Sequence, residues 1–419
     1  MVNLYLFSSS ETIILNKLKT QTFLIGDRLP IKKRDIIRLL FKSRKGLFQA
    51  KEYNKKAKEF WKNKQTVFTE EIKRVLNSNT DLQLTKLSKD FVRETCFNDL
   101  ICSVDEIHEF KKILNDPNKK FILNDFVNYA TRTGFLTVVI APALAAAEGV
   151  GGIREEVMDQ WLYGIGICLP VSADVCDSVM DKEVMKHPSI PERAWITCHK
   201  LCSAIIFQIG MDHINNIKTG DSNLDKKIII RLNKGVKKVC EKQQMDLKVK
   251  DLDYVSIPTL EEIYDGKICE IEATVFGTMP SNKTDIVRVF EEGARFFAGE
   301  LQVVDDFEDL LGDTNIQKQP EVPKPSFFLT YCVDLWRSGR KDVEDIMKEA
   351  ARKSLERGRE YYEEVKNAFN RLPKDFKTKP FFHVTLWYYN KVLDDRFNQF
   401  LKGKTYPQIK NQLLKILQE

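Results

Sequence analysis

Apolar residues recur at three- and four-residue steps along almost the whole of this chain, a period that admits helices and little else. Between Lys341 and Phe369 the positions Val343, Ile346, Ala350, Ala351 and Leu355 form one stripe with charged residues between them, the pattern of a helix packed on one face. Phe121–Ala147 reads the same way. No stretch shows the period of two that a half-buried strand requires, so the expected fold class is all-α. Glycine and proline collect at the joints: Gly149–Gly152, Pro188–Pro191, Gly220–Ser222, Pro280-Ser281 and residues 317–325. Residues 85–419 are expected to be one large helical domain, and residues 1–84 a basic leader with short helices.

Charge separates those two parts. Residues 1–80 carry 18 Lys+Arg against 7 Asp+Glu, while the other 339 carry 48 against 53, so the net charge of +6 belongs to the leader. Binding of nucleic acid by a basic body is therefore excluded. Hydrophobic residues at 43% and charged residues at 30% also exclude a wholly disordered chain. The nine cysteines include no Cys-x-x-Cys pair, and Cys198, His199 and Cys202 are read as buried helix positions, because zinc asks for four ligands. A reducing compartment follows. The longest apolar stretch, Phe135–Ala147, contains Pro142 and falls short of the ~20 residues of a membrane span, so it is expected as a buried core helix. No span and no signal-peptide order are seen. The expected location is cytoplasmic, with an organelle transit peptide as the alternative reading of the N-terminus.

Two acidic segments stand out. In Leu169–Pro191, Asp174, Asp177 and Asp181 fall at i, i+3 and i+7, on one helical face. In LQVVDDFEDLLGD, Leu301–Asp313, Asp305, Asp309 and Asp313 share a face, with Asp306 beside it. Aspartates this dense amid apolar sequence repel one another unless a cation lies between them. Magnesium fits, because it takes carboxylates together with water and phosphate oxygens.

LQVVDDFEDLLGD resembles the second aspartate-rich motif of the trans-isoprenyl diphosphate synthases, the farnesyl diphosphate synthase branch in particular. Leu136-Thr137-Val138-Val139 resembles the LTVV of that branch. Asp177-Ser178-Val179-Met180-Asp181 takes the place of D-D-x-M-D, and Gln243-Gln244-Met245-Asp246-Leu247 that of G-Q-x-x-D-L. Tyr264-Asp265-Gly266-Lys267 resembles its Y-x-x-K. The resemblance implies an all-α isoprenoid synthase bundle around a deep cavity and a homodimer. It implies Mg²⁺, three ions in number, held by Asp177, Asp181, Asp305 and Asp309, with Asp306 also catalytic. It assigns Lys186, Lys267, Lys318, Lys324, Gln302 and Gln243 to the substrate diphosphate, and Ser172 and Ala173 to the pocket floor. Small residues at that floor imply a chain of fifteen carbons or more.

The departures from the family are concentrated. Its acceptor site uses a Lys and an Arg before LTVV, where this chain has Thr131 and Gly134, with Arg132 the only nearby cation. Its Arg-Arg pair after the first motif is replaced by Lys186 and His187, and the second aspartate of that motif by Ser178. Lysine lacks the arginine fork and histidine is no permanent cation. Groups for ionising an allylic diphosphate remain, while those for holding isopentenyl diphosphate are depleted. The resemblance thus implies a Mg²⁺-dependent class I terpene synthase acting on farnesyl diphosphate or a longer relative. A chain-elongating or irregular-coupling prenyltransferase and a non-catalytic subunit of a heteromeric synthase stay open. Asn98-Asp99 with Glu106, and Asp394-Asp395, are read as structural acids.

Overall fold

The computed structural model describes residues 33–418 apart from 96, 117–121, 131–134, 183, 185, 250–251, 265–267 and 313–318. No strand occurs among them, and the expectation of an all-α chain holds.

Residues 33–78, expected as short helices, form one 46-residue helix, α1 (Lys33–Ser78). The leader reading fails there for a physical reason: Ala50, Tyr53, Ala57, Phe68, Ile72 and Leu76 lie on one face and are buried in the same core as the rest of the chain. Three short helices follow: α2 (Asp81–Thr95), α3 (Val104–Leu114) and α4 (Ile122–Ala130). Of the expected helix over 121–147, the described residues form α4 and then α5 (Phe135–Val150), which runs through Pro142.

The next helix explains the depth of the fold. α6 (Glu155–Trp161) passes through a π-helical stretch, Leu162–Cys168, into α7 (Leu169–Met180). Its neighbour is α8 (Glu192–Asn215). The two cross at Gly164 and Gly210, where a Cβ on either residue would lie within about 3 Å of the other's carbonyl oxygen. Only glycine permits backbones that close. Glu155–Met180 and Glu192–Asn215 are each long and apolar enough to cross a membrane by length and composition, which a search for the longest unbroken apolar run overlooks. Both are 72% buried over their apolar windows, among the other helices.

The second half comprises α9 (Ser222–Val249), α10 (Ile257–Tyr264), α11 (Ile268–Gly277), α12 (Thr284–Leu311), α13 (Phe327–Arg337), α14 (Val343–Asn370), α15 (Lys379–Phe400) and α16 (Tyr406–Gln418). α12 is its axis, packing against α11, α14 and α15. At the N-terminal end of α12, Phe290 meets the rings of Phe276, Phe376 and Phe382 at 4.8–5.9 Å, fixing that end in an aromatic cluster. α1 closes the other side against α5 and α15. The seven described cysteines that are free are all buried, and burial alone pushes the Cys332 thiol well up.

Candidate active site

The first acidic helix ends where its aspartates are needed. α7 stops at Met180, with Asp181 as its C-cap donating its N–H to the Asp177 carbonyl at 2.9 Å. Lys182, at φ 60°, then turns the chain away. Beneath these residues lies a cavity of about 130 Å³. Asp174 and Asp177 stand at its wall with Ser172 and Ala173, and Phe91, Phe97 and Phe207 from neighbouring segments line it. Ser172 donates its hydroxyl to the Ser203 carbonyl at 2.9 Å, which fixes α7 on α8. Trp161, one helix segment earlier, does not line this space: it is fully buried and donates to the Thr278 hydroxyl at 3.3 Å.

Across the cavity, α9 supplies Gln243. This buried amide donates to the Asp177 carboxylate at 2.7 Å, so it orients an aspartate directly. Asp174 is pushed up to about 6, first by burial and then by Asp177 beside it. α9 packs on α11, and α11 on α12, which carries the second acidic segment.

That segment divides its aspartates between two environments. Asp305 is exposed, Asp309 half-buried, and Asp306 is buried. The Asp306 carboxyl accepts hydrogen bonds from the Tyr264 hydroxyl and from Gln302. Burial, followed by the charges of Asp309 and Asp305, pushes its pKa well above the ordinary carboxylate range despite those bonds. Tyr264 is itself fixed edge-on against Phe327 at 4.5 Å. Sequence reasoning named Tyr264 only as the start of a motif; its placement under Asp306 had no signal there. Gly312, at φ 66°, ends α12 and returns its N–H to the Glu308 and Asp309 carbonyls. The Glu321 N–H donates to the Asp309 carbonyl at 2.9 Å, holding Glu321 against the helix end.

The cations are arranged unevenly. Lys324 pairs with Asp253, and Lys186, 82% exposed, reaches Glu192 at 3.8 Å. His187 is turned inward: its ring packs on Trp195 at 4.8 Å, and its Nδ1 accepts from the Ser189 N–H at 3.2 Å. That leaves Nε2–H to donate to Asp125 at 3.3 Å. Thr131, Arg132, Gly134, Lys267, Asp313 and Lys318 lie outside the described residues, as does the segment read as a transit peptide.

Among the described residues no three His, Cys, Asp or Glu side chains gather closely enough to hold a metal ion by themselves. The donor set is still one that suits magnesium, because that ion is usually held by one or two carboxylates and completed by substrate phosphate and water. The decoys are structural. Glu106 forms a capping box with Ser103, accepting its N–H at 2.8 Å and donating back at 3.2 Å. Asp394 and Asp395 are paired with Arg359 and Lys391. His199 donates to the Trp195 carbonyl at 2.8 Å, and burial lowers it to about 4, so Cys198 and Cys202 flank a neutral core histidine.

No family model and no curated protein matches the sequence. Solved structures do match the fold. The chain is similar to a geranylgeranyl pyrophosphate synthetase from Pyrococcus horikoshii Ot3, with 14% identity and a TM-score of 0.51 over 74% of this chain and 99% of that one. It is similar to a geranylgeranyl pyrophosphate synthetase from the archaeon Geoglobus acetivorans, with 14% identity and a TM-score of 0.52 over 68% of this chain and 96% of that one. The chain therefore has the all-α isoprenoid synthase fold, in the form that trans-prenyl diphosphate synthases take.

Proposed function

We propose that this protein ionises an allylic prenyl diphosphate of fifteen carbons or more and releases a terpene hydrocarbon or alcohol. Asp177, Asp181, Asp305 and Asp309 would hold Mg²⁺, which when bound supplies positive charge to the departing diphosphate. The chain's own residues do the rest. Gln243 holds one Asp177 oxygen, limiting the directions in which that carboxylate can point. Tyr264 and Gln302 hold Asp306 inward, leaving Asp305 and Asp309 as the outward pair on α12. Phe91, Phe97 and Phe207 enclose the prenyl chain and limit water. After the C–O bond breaks, the cation, as it is or after closing on its own double bonds, loses a proton to the departing diphosphate to give a hydrocarbon, or is captured by an admitted water that gives up its proton there to leave an alcohol.

The observation that carries this reading is the orientation of His187. At the place where the resembled family holds its acceptor with an arginine, this side chain is committed to Asp125 and Trp195. A diphosphate brought there would find no charge-assisted fork to offset its desolvation. The prenyltransferase reading has its own support, since the solved structures of this fold cited above are named as geranylgeranyl pyrophosphate synthetases.

One incubation separates the two. Farnesyl diphosphate with Mg²⁺ should yield pyrophosphate and a hydrocarbon or alcohol, and labelled isopentenyl diphosphate should stay unincorporated. Label entering a longer diphosphate would establish the prenyltransferase instead. Failure of every allylic diphosphate to turn over would leave the non-catalytic subunit.

A further inference from the structure

Helix α1 carries 14 Lys+Arg against five Asp+Glu, and its basic side chains divide by direction. Lys56 and Lys64 turn toward the body, pairing with Glu148 of α5 at 3.1 Å and Asp159 of α6 at 2.6 Å. Lys51, Lys55, Lys58 and Lys62 are exposed and recur at i, i+4, i+7 and i+11, a single row about 17 Å long at 1.5 Å per residue. Among the described residues Lys51, Lys58 and Lys62 form no ion pair, and Lys55 reaches only Glu59, at 3.5 Å. Phe48, one turn before Lys51 on the same face, is 68% exposed.

In water both features carry a cost. Four like charges in one row repel one another, and an exposed ring leaves apolar surface hydrated. Both turn favourable at a surface that presents phosphates above hydrocarbon, where lysines neutralise headgroups and a ring enters the interface. We propose that the outward face of α1, Phe48 with Lys51, Lys55, Lys58 and Lys62, docks this protein on an anionic phospholipid bilayer. The lysine row supplies charge complementarity, and Phe48 favours lipid over nucleic acid, whose backbone offers the row nothing apolar. Docking is independent of which allylic reaction the cavity carries out.

The full chain should co-sediment with vesicles containing about a third phosphatidylserine and not with pure phosphatidylcholine vesicles, and high salt should release it. Replacing Lys51, Lys55, Lys58 and Lys62 together by Gln should lower the partition coefficient by nearly three orders of magnitude, taking about fivefold per lysine. Phe48→Ser should lower it several-fold and leave the salt dependence unchanged. These exposed side chains are not needed for folding, and circular dichroism of each variant checks that. A comparison set is the exposed Lys226, Lys227, Lys234 and Lys237 of α9, beside Ile230 at 66% exposure. Loss of binding on changing that set and not the α1 set would overturn the proposal. So would equal binding to neutral vesicles, no vesicle binding at all, or RNA binding that competes with the vesicles through the same lysines.

Discussion

α7 and α12 each carry aspartates on a helical stripe, yet the fold puts the two stripes to different uses. On α7 the stripe borders an open cavity, and the group that meets Asp177 is a neutral amide from across the gap. On α12 the stripe is divided by the helix itself. Asp305 and Asp309 look outward while Asp306 is buried under Tyr264. Acidic residues close in sequence are therefore not one electrostatic unit. What each can do depends on what packs against its side of the helix.

The largest expected effect tests whether both stripes serve one reaction. Asp305→Asn and Asp181→Asn should each lower kcat by about two to three orders of magnitude, the scale of losing one preorganised charge-stabilising group. Neither should destabilise the fold, and EDTA should stop the wild type until Mg²⁺ is returned. Near-normal turnover in one variant would remove that helix from the chemistry and leave the other.

A second effect concerns stability and its dependence on pH. Asp174 titrates near 6 in the fold, above the ordinary value of about 4, because burial disfavours its charge. The stability it lends is then fully present below about pH 4 and is lost as pH rises through about 6. Asp174→Asn should stabilise the ligand-free protein by about 3 kcal/mol at pH 7.5 and by about half that at pH 5, read from thermal melts at each pH. A gain that does not grow with pH would mean that Asp174 ionises freely in the fold. Asp306→Asn should show the same sign of pH dependence, since its pKa is also raised by burial.

Filling the cavity gives a smaller, qualitative effect. Ala173→Phe places a ring in a space of about 130 Å³ below the first aspartates. It should shift the preferred substrate to a shorter prenyl chain without altering metal dependence. An unchanged product profile in a folded variant would mean that the chain lies elsewhere. The smallest effect is expected at the decoy. Glu106→Ala removes half of a capping box, should cost about 1 kcal/mol, and should leave turnover untouched.

Much of the fold was legible because helical packing writes its period into the sequence. α14 was visible within a residue or two at its ends, since Val343, Ile346, Ala350 and Leu355 can face a core in no other regular structure. α1 was misread because lysines crowd its outward face and mask the sparser row of Tyr53, Ala57, Phe68 and Ile72 that packs inward. The π-helical stretch at Leu162–Cys168 was invisible, because the departure from 3.6 residues per turn there is decided by the neighbour that Gly164 meets, not by local propensity.

The same division holds at the candidate site. The spacing of Asp174, Asp177 and Asp181, and of Asp305 and Asp309, was enough to place each set on one face, because spacing along a helix converts directly into direction. Burial and partnership were not encoded locally. That Asp306 turns to Tyr264, that Gln243 reaches Asp177 from 66 residues away, and that His187 settles between Trp195 and Asp125 all depend on which helices meet. A side chain's charge state and its partner are properties of the space between elements, and only the packed tertiary structure creates that space.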